Sequence, residues 1–170
     1  MRVLGVDPDM KGGLVLVDVA EMKIIDIARM PLTVKRPPLN EPVRVNPELL
    51  WKSLLGVRRL DAQYVILERA LVRVQNGGQM TGGIDRTHQN FGAIWSLCEL
   101  AFTPSRVIIA NPSSWKKAMG LSSDKKQSNT MAAKLFPSHA KPFGMAKNTG
   151  LAEAALMAVW GNRKFKFTDG

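Results

Sequence analysis

The chain has 170 residues and a mass of 18.7 kDa, which suits one domain with its own core and excludes two independent catalytic domains. Apolar residues make up 45% and charged residues 22%, which excludes a disordered or collagen-like chain. Lys and Arg number 24 against 14 Asp and Glu, and the net charge of +10 favours a nucleic acid partner over a membrane or a neutral small molecule.

Short apolar runs separated by turn residues predict three strands at the start of the chain. They are Arg2–Val6, Leu14–Asp18 and Lys23–Met30. Five prolines between positions 31 and 47 predict a loop, after which Pro47-Glu48 begins an amphipathic helix. The opening segment is therefore an antiparallel meander followed by a helix.

The rest of the chain alternates strands with helices. Composition predicts strands at Tyr64–Leu67 and Arg106–Ala110, a loop between Ala70 and Gly83, and helices at Thr87–Phe102, Ser128–Leu135 and Gly150–Trp160. A meander followed by this alternation predicts an α/β domain over residues 1–162, with a ribonuclease H-like mixed five-stranded sheet flanked by helices. Residues 163–170 alternate basic and aromatic side chains, which predicts an added strand or a tail that touches DNA.

Three carboxylates lie where an apolar core would not accept them without a partner. Asp7 follows the first strand, Glu68 ends the Tyr64–Leu67 strand, and Glu153 lies among alanines on a buried helix. Converging oxygen ligands suit Mg2+, with Mn2+ as a substitute, and a pair of such ions can activate water against a phosphodiester. The alternatives are a turn at Asp7, an ion pair of Glu68 with Arg69 or another basic residue, and a buried salt bridge at Glu153.

Other reactive groups give weaker signals. The single cysteine, Cys98, cannot form an internal disulfide, and the first 18 residues lack the pattern of a secretion signal, so we expect a reducing intracellular compartment.

No P-loop pattern is present, which predicts no nucleotide cofactor. Trp115 precedes two lysines and is either a core residue or a platform for a base or sugar.

Basic residues are concentrated in the last third of the chain, where positions 111–170 contain ten Lys and Arg against three acidic residues. Such an unmatched cluster predicts phosphate binding, with an ordinary solvated face as the alternative.

Several short motifs follow one another in a fixed order. They are Gly5-Val6-Asp7-Pro8-Asp9, Gly12-Gly13-Leu14, Leu67-Glu68, Pro112-Ser113-Ser114-Trp115-Lys116-Lys117, Lys125 ahead of Ala132-Ala133-Lys134-Leu135-Phe136-Pro137, and Gly150-Leu151-Ala152-Glu153-Ala154-Ala155-Leu156. The ordered set spans Val3 to Gly161 and resembles the RuvC-type Holliday junction resolvases. Within them it is most similar to the branch of the chloroplast resolvase named Monokaryotic Chloroplast and its bacteriophage relatives.

The resemblance implies that Asp7, Glu68 and Glu153 are metal-binding catalytic acids and that Lys125 reaches the active-site phosphate. It implies a homodimer, with Phe91–Leu100 as the candidate interface, that binds four-way DNA and nicks two opposing strands symmetrically. The compartment would be the chloroplast nucleoid or the cytoplasm of a phage host. We predict DNA contacts at Lys116, Lys117, Lys126, Lys147, Arg69, Gln79, Arg86 and Ser128.

One departure from the family pattern affects the metal site. Relatives usually read Lys-Asp-His-Gly-Arg-Ala-Glu, whereas this chain reads Lys147-Asn148-Thr149-Gly150-Leu151-Ala152-Glu153. Thr149 is therefore the candidate fourth ligand, although a neutral hydroxyl is a poor ligand and cannot act as a general base near neutral pH. Three interpretations follow: the chain was altered to trap a complex, it uses three acids plus water, or it binds junctions without cutting them.

Overall fold

The structure of the chain is a computed structural model that describes residues 1–34, 43–70 and 82–167. These residues form five strands: β1 Arg2–Asp7, β2 Gly13–Asp18, β3 Lys23–Arg29, β4 Ala62–Glu68 and β5 Val107–Ala110. They also form six α-helices: α1 Pro47–Arg59, α2 Gly82–Phe102, α3 Pro112–Ala118, α4 Lys125–Leu135, α5 Ala140–Phe143 and α6 Thr149–Phe165. None of the described helices has the length and hydropathy that crossing a bilayer requires.

The strands form one mixed sheet in the order β3-β2-β1-β4-β5. β1, β2 and β3 are antiparallel neighbours, whereas β4 and β5 run parallel to β1. The predicted mixed five-stranded sheet flanked by helices is confirmed. Because Val6 of β1 is in register with Leu67 of β4, the two strands end side by side and bring Asp7 and Glu68 to the same edge of the sheet.

The sheet is buried on both faces, because its strands alternate side chains between two hydrophobic clusters. The cluster under α3, α4 and α6 includes Val3, Val15, Val17 and Ile66 of the sheet, with Trp115 of α3, Leu156 of α6 and Phe136, which follows α4. The cluster under α1 and α2 includes Leu4, Val6, Leu16 and Val65 with Leu50, Leu54, Ile94 and Cys98. Cys98 is accordingly a core residue.

α6 lies unusually close to β1. A Cβ atom built on Gly5 would be 1.8 Å from the backbone oxygen of Ala154, so only glycine permits this approach. The facing turns of α6 carry buried alanines, which keep the helix backbone close to the sheet. This contact places Glu153 next to the end of β1.

Several boundaries differ from the predicted ones, and two helices of the described residues, α3 and α5, were not predicted. α3 has only seven residues, too few to show a helical period, and is marked instead by Asn111, whose side chain accepts the Ser113 N–H at 3.1 Å. α2 begins at Gly82, not Thr87, and α4 begins at Lys125, three residues before the predicted start. Asp124 caps α4 by accepting the Lys126 N–H at 2.9 Å.

The basic tail continues α6. Residues 163–165 are helical, so the expectation of an added strand is wrong for them. Beyond the helix, the ring of Phe167 stacks on Tyr64 of β4 with centroids 3.9 Å apart. Residues 168–170 lie outside the described residues. A DNA contact by the tail stays a prediction.

Candidate active site

One open cavity of about 920 Å³ lies at the edge of the sheet where β1 and β4 end. Asp7 from β1, Glu68 from β4 and Glu153 from α6 all line it. Three distant parts of the sequence thus contribute the three predicted acids to one cavity. Each acid is held by different neighbours, which determine its orientation.

Asp7 is almost fully buried and forms a turn at the end of β1. Its Oδ1 accepts the N–H of Asp9 at 3.0 Å, so the turn role is present, while its Oδ2 faces Gly150. A Cβ atom on Gly150 would lie 2.5 Å from that oxygen, so glycine keeps this space open. Burial, followed by the charge of Glu68, raises the pKa of Asp7 to about 8 against the opposing hydrogen bond from Asp9.

Glu68 is held by an indole. Its Oε1 accepts a hydrogen bond from Trp115 Nε1 at 2.8 Å. Burial raises the pKa of Glu68 to about 7, while the Trp115 hydrogen bond acts in the opposite direction. No ion pair of Glu68 with Arg69 or another basic residue occurs among the described residues, so that alternative is wrong. Trp115 itself is fully buried, which confirms the core interpretation and excludes base stacking by its ring in this conformation.

Glu153 is held by two donors from the basic region. Its Oε1 lies 2.7 Å from Lys116 Nζ and accepts the Ser128 hydroxyl at 2.9 Å, so the buried salt bridge weighed for Glu153 is present. The prediction that Ser128 contacts DNA is wrong, because its side chain has no exposed surface and its hydroxyl is used by Glu153. Lys116, which we predicted to position DNA, forms an ion pair with Glu153 in this structure.

Thr149 and Asn148 fasten the start of α6. Thr149 Oγ1 lies 2.8 Å from the Ala146 carbonyl and 2.7 Å from Asn129 Oδ1, and its single proton serves these acceptors. Asn148 Nδ2 donates to the Pro142 carbonyl at 2.6 Å, and its Oδ1 accepts from Arg29. Thr149 lines the cavity, but its contacts are those of an anchor and not of a free ligand.

Positive side chains surround the acids. The basic residues that line the cavity are Lys125, Lys147, Arg69, Arg29 and Lys11. Sequence analysis missed Arg29 and Lys11, because both lie in the opening meander, far from the basic region. Lys117 and Lys126 are exposed but do not line the cavity. Gln79 lies outside the described residues, and only the helical backbone is described at Arg86.

Comparisons with solved structures identify the architecture. Thermus thermophilus RuvC in complex with a Holliday junction substrate superposes with a TM-score of 0.64 and 20% identity over 98% of this chain and 96% of that chain. A second Thermus thermophilus RuvC structure gives a TM-score of 0.62 and 20% identity over 98% and 97%. The chain has the RuvC fold. No family model matches the sequence, and no curated protein matches it.

The donor set of this site suits a divalent metal ion. Each of the three acids has one oxygen bound to a protein donor, and its second oxygen receives no hydrogen bond from the described residues. A hard cation prefers such oxygen ligands and would relieve the repulsion that contributes to the raised pKa values. In their present positions, no three His, Cys, Asp or Glu side chains of the described residues form a group able to hold an ion. The carboxylates of Asp7, Glu68 and Glu153 are suitable ligands for a divalent cation, and they would have to move closer together to bind one.

Proposed function

We propose that the chain is a structure-selective endonuclease that binds four-way DNA junctions and resolves them by nicking two opposing strands with Mg2+. The observation that carries the proposal is the convergence of Asp7, Glu68 and Glu153 in one cavity rimmed by basic side chains, within the RuvC fold. A cavity with acids inside and cations around it suits a phosphodiester and a divalent ion together.

Different residues of the cavity would bind the metal, neutralise the phosphate and position the acids. Asp7, Glu68 and Glu153 would hold Mg2+, with Mn2+ as a substitute, and the bound ion would supply Lewis acidity and an activated water. Lys125 begins α4 at the cavity and would neutralise charge on the phosphate, together with Lys147 and Arg29, which line the same cavity. Hydrogen bonds from residues outside the cavity lining hold the two glutamates in position. Trp115 donates to Glu68, and Lys116 and Ser128 donate to Glu153.

Symmetric nicking requires two copies of the site. We infer a homodimer in which α2 forms the interface, because this helix leaves Trp95 40% and Leu100 69% exposed. A two-fold axis would place the two cavities on opposing strands of the junction. From the motifs we further propose that the chain belongs to the chloroplast and bacteriophage branch, and that it acts in a chloroplast nucleoid or in the cytoplasm of a phage host.

A junction-binding protein without cleavage is the second candidate. Its support is the position of Thr149, where the family carries an ionisable residue, and where the hydroxyl is engaged with Asn129 and Ala146. Without that residue the site keeps its three acids, but position 149 offers no group that can act as a general base near neutral pH. The two candidates differ only in what happens after the junction is bound.

Incubation with a labelled immobile four-way junction separates them. The assay uses Mg2+ and then Mn2+, a linear duplex of the same sequence, and Asp7→Asn as the matched variant. Paired nicks that disappear in Asp7→Asn would support the endonuclease. Selective junction binding without nicks would support the binding protein, and equal binding of junction and duplex would contradict both.

A further inference from the structure

Trp115 connects the hydrophobic core to the cavity. Its ring is fully buried in the cluster beneath α6, together with Ile66 of β4, Leu156 and Trp160. Its one polar atom, Nε1, nevertheless donates to Glu68 Oε1 at 2.8 Å. A buried indole must place its N–H on an acceptor, and here the acceptor is an acid of the candidate active site.

The hydrogen bond reaches Glu68 from the side of the core. Glu68 lines the cavity, whereas Trp115 does not. One carboxylate oxygen is therefore fixed from behind, and the second receives no hydrogen bond from the described residues. The donor is rigid, because Trp115 is packed on all sides and its backbone is fixed in α3 by hydrogen bonds to Asn111 and from Met119.

The chemistry of this donor differs from that of its neighbour in α3. Lys116 holds Glu153 with a full positive charge, which would repel a divalent cation nearby. Trp115 holds Glu68 with a neutral N–H, which orients the carboxylate and leaves its negative charge for a metal. Outer contacts of this kind, which orient a metal-binding carboxylate, support metal affinity.

We propose that Trp115 is a positioning residue that holds Glu68 ready for a divalent cation. The inference rests on the proposed function, since it requires that Glu68 binds the metal. Trp115 would then have a role beyond packing in the core. Burial of its ring explains the packing but does not explain a hydrogen bond to Glu68.

The test is Trp115→Phe, which keeps a buried aromatic ring and removes only the N–H donor. Trp160→Phe is the matched control, because Trp160 is also buried in the same cluster and its N–H meets no acidic side chain among the described residues. Binding of Mn2+ to each metal-free protein is measured by isothermal titration calorimetry, and circular dichroism verifies the fold. We expect Trp115→Phe to bind Mn2+ about 10- to 100-fold more weakly, with Trp160→Phe unchanged.

Three other results would overturn the proposal. Unchanged affinity in Trp115→Phe would mean that Trp115 serves packing alone, and the proposed function would stand. An equal loss in both variants would indicate general destabilisation. Absence of Mn2+ binding by the unaltered chain would contradict the positioning role and the metal-dependent nuclease together.

A measurement on the unaltered chain covers the case in which Trp115→Phe does not fold. The indole N–H of Trp115 is followed by NMR in hydrogen exchange with and without Mg2+. We expect slow exchange in both states, because the bond to Glu68 persists when the metal binds. Fast exchange in Mg2+ would show that Glu68 leaves Trp115 to bind metal, and would overturn the proposal.

Discussion

Lys116 Nζ and Glu153 Oε1 lie 2.7 Å apart, in an ion pair whose side chains are only 18% and 8% exposed. Because Ser128 donates to the same oxygen, α3, α4 and α6 meet at one carboxylate. Each helix thereby contributes to the position of Glu153 beside the end of β1. An ion pair so poorly exposed is costly to break, because the remaining charge is left without solvent.

Lys116→Met tests this ion pair in EDTA. We expect the free energy of unfolding in urea to fall by about 3 kcal/mol, because Glu153 loses its cation while the apolar stem of the side chain is kept. Lys117→Met is the matched control, since Lys117 is exposed on the same helix, and it should change stability by less than about 0.5 kcal/mol. Similar small effects in both variants would show that the pair is not stabilising.

The pH dependence of stability tests the charges of Asp7 and Glu68. Their folded pKa values are raised to about 8 and about 7, so the folded chain keeps protons that the unfolded chain releases. This contribution to stability is complete below about pH 4 and is lost as the pH rises through the folded values. Metal-free protein should therefore be less stable to urea at about pH 8 than at about pH 5.

Asp7→Asn isolates one of the two groups. It should reduce the loss of stability between these pH values by at least about 1 kcal/mol, since the amide does not titrate. Asp26→Asn, at an exposed position of β3, is the control and should leave the pH dependence unchanged. Stability that rises over this range in the metal-free protein would contradict the raised pKa values.

Two glycines test the close approach of α6 to the sheet. Gly5→Ala should lower the free energy of unfolding by about 3 kcal/mol, because its Cβ would lie 1.8 Å from the Ala154 oxygen and would separate β1 from α6. Gly56→Ala, on α1 with no atom near its Cβ position, should raise stability by about 0.5–1 kcal/mol. Equal effects in urea denaturation would contradict the packing described.

Salt dependence tests which cations bind DNA. Lys125→Ala and Lys147→Ala, at the cavity, should each weaken junction binding and reduce the slope of log affinity against log salt by about 0.9. Lys52→Ala is the control, because Lys52 pairs with Glu48 on α1 and does not line the cavity. Fluorescence anisotropy over a range of salt concentrations gives the slopes, and an equal change for Lys52→Ala would show that binding is not centred on the cavity.

The sequence was sufficient to single out Asp7, Glu68 and Glu153 as candidate metal-binding acids, because a carboxylate at the end of an apolar run or within a buried helix is unusual. Parallel pairing of β1 and β4 then brings two of them together, which the structure shows. α3 was not predictable from periodicity, since seven residues make about two turns. The contacts of Trp115 with Glu68 and Lys116 with Glu153 join residues 47 and 37 positions apart, which local pattern does not reveal.

Cleavage of a supercoiled plasmid that extrudes a cruciform tests junction resolution in a single step, because paired cuts across one junction convert the circle to a linear molecule. With Mg2+, we expect linear product with cuts placed symmetrically at the cruciform base, and no product from Asp7→Asn or from a plasmid without the cruciform. An intact plasmid, or equal cutting of both plasmids, would contradict it.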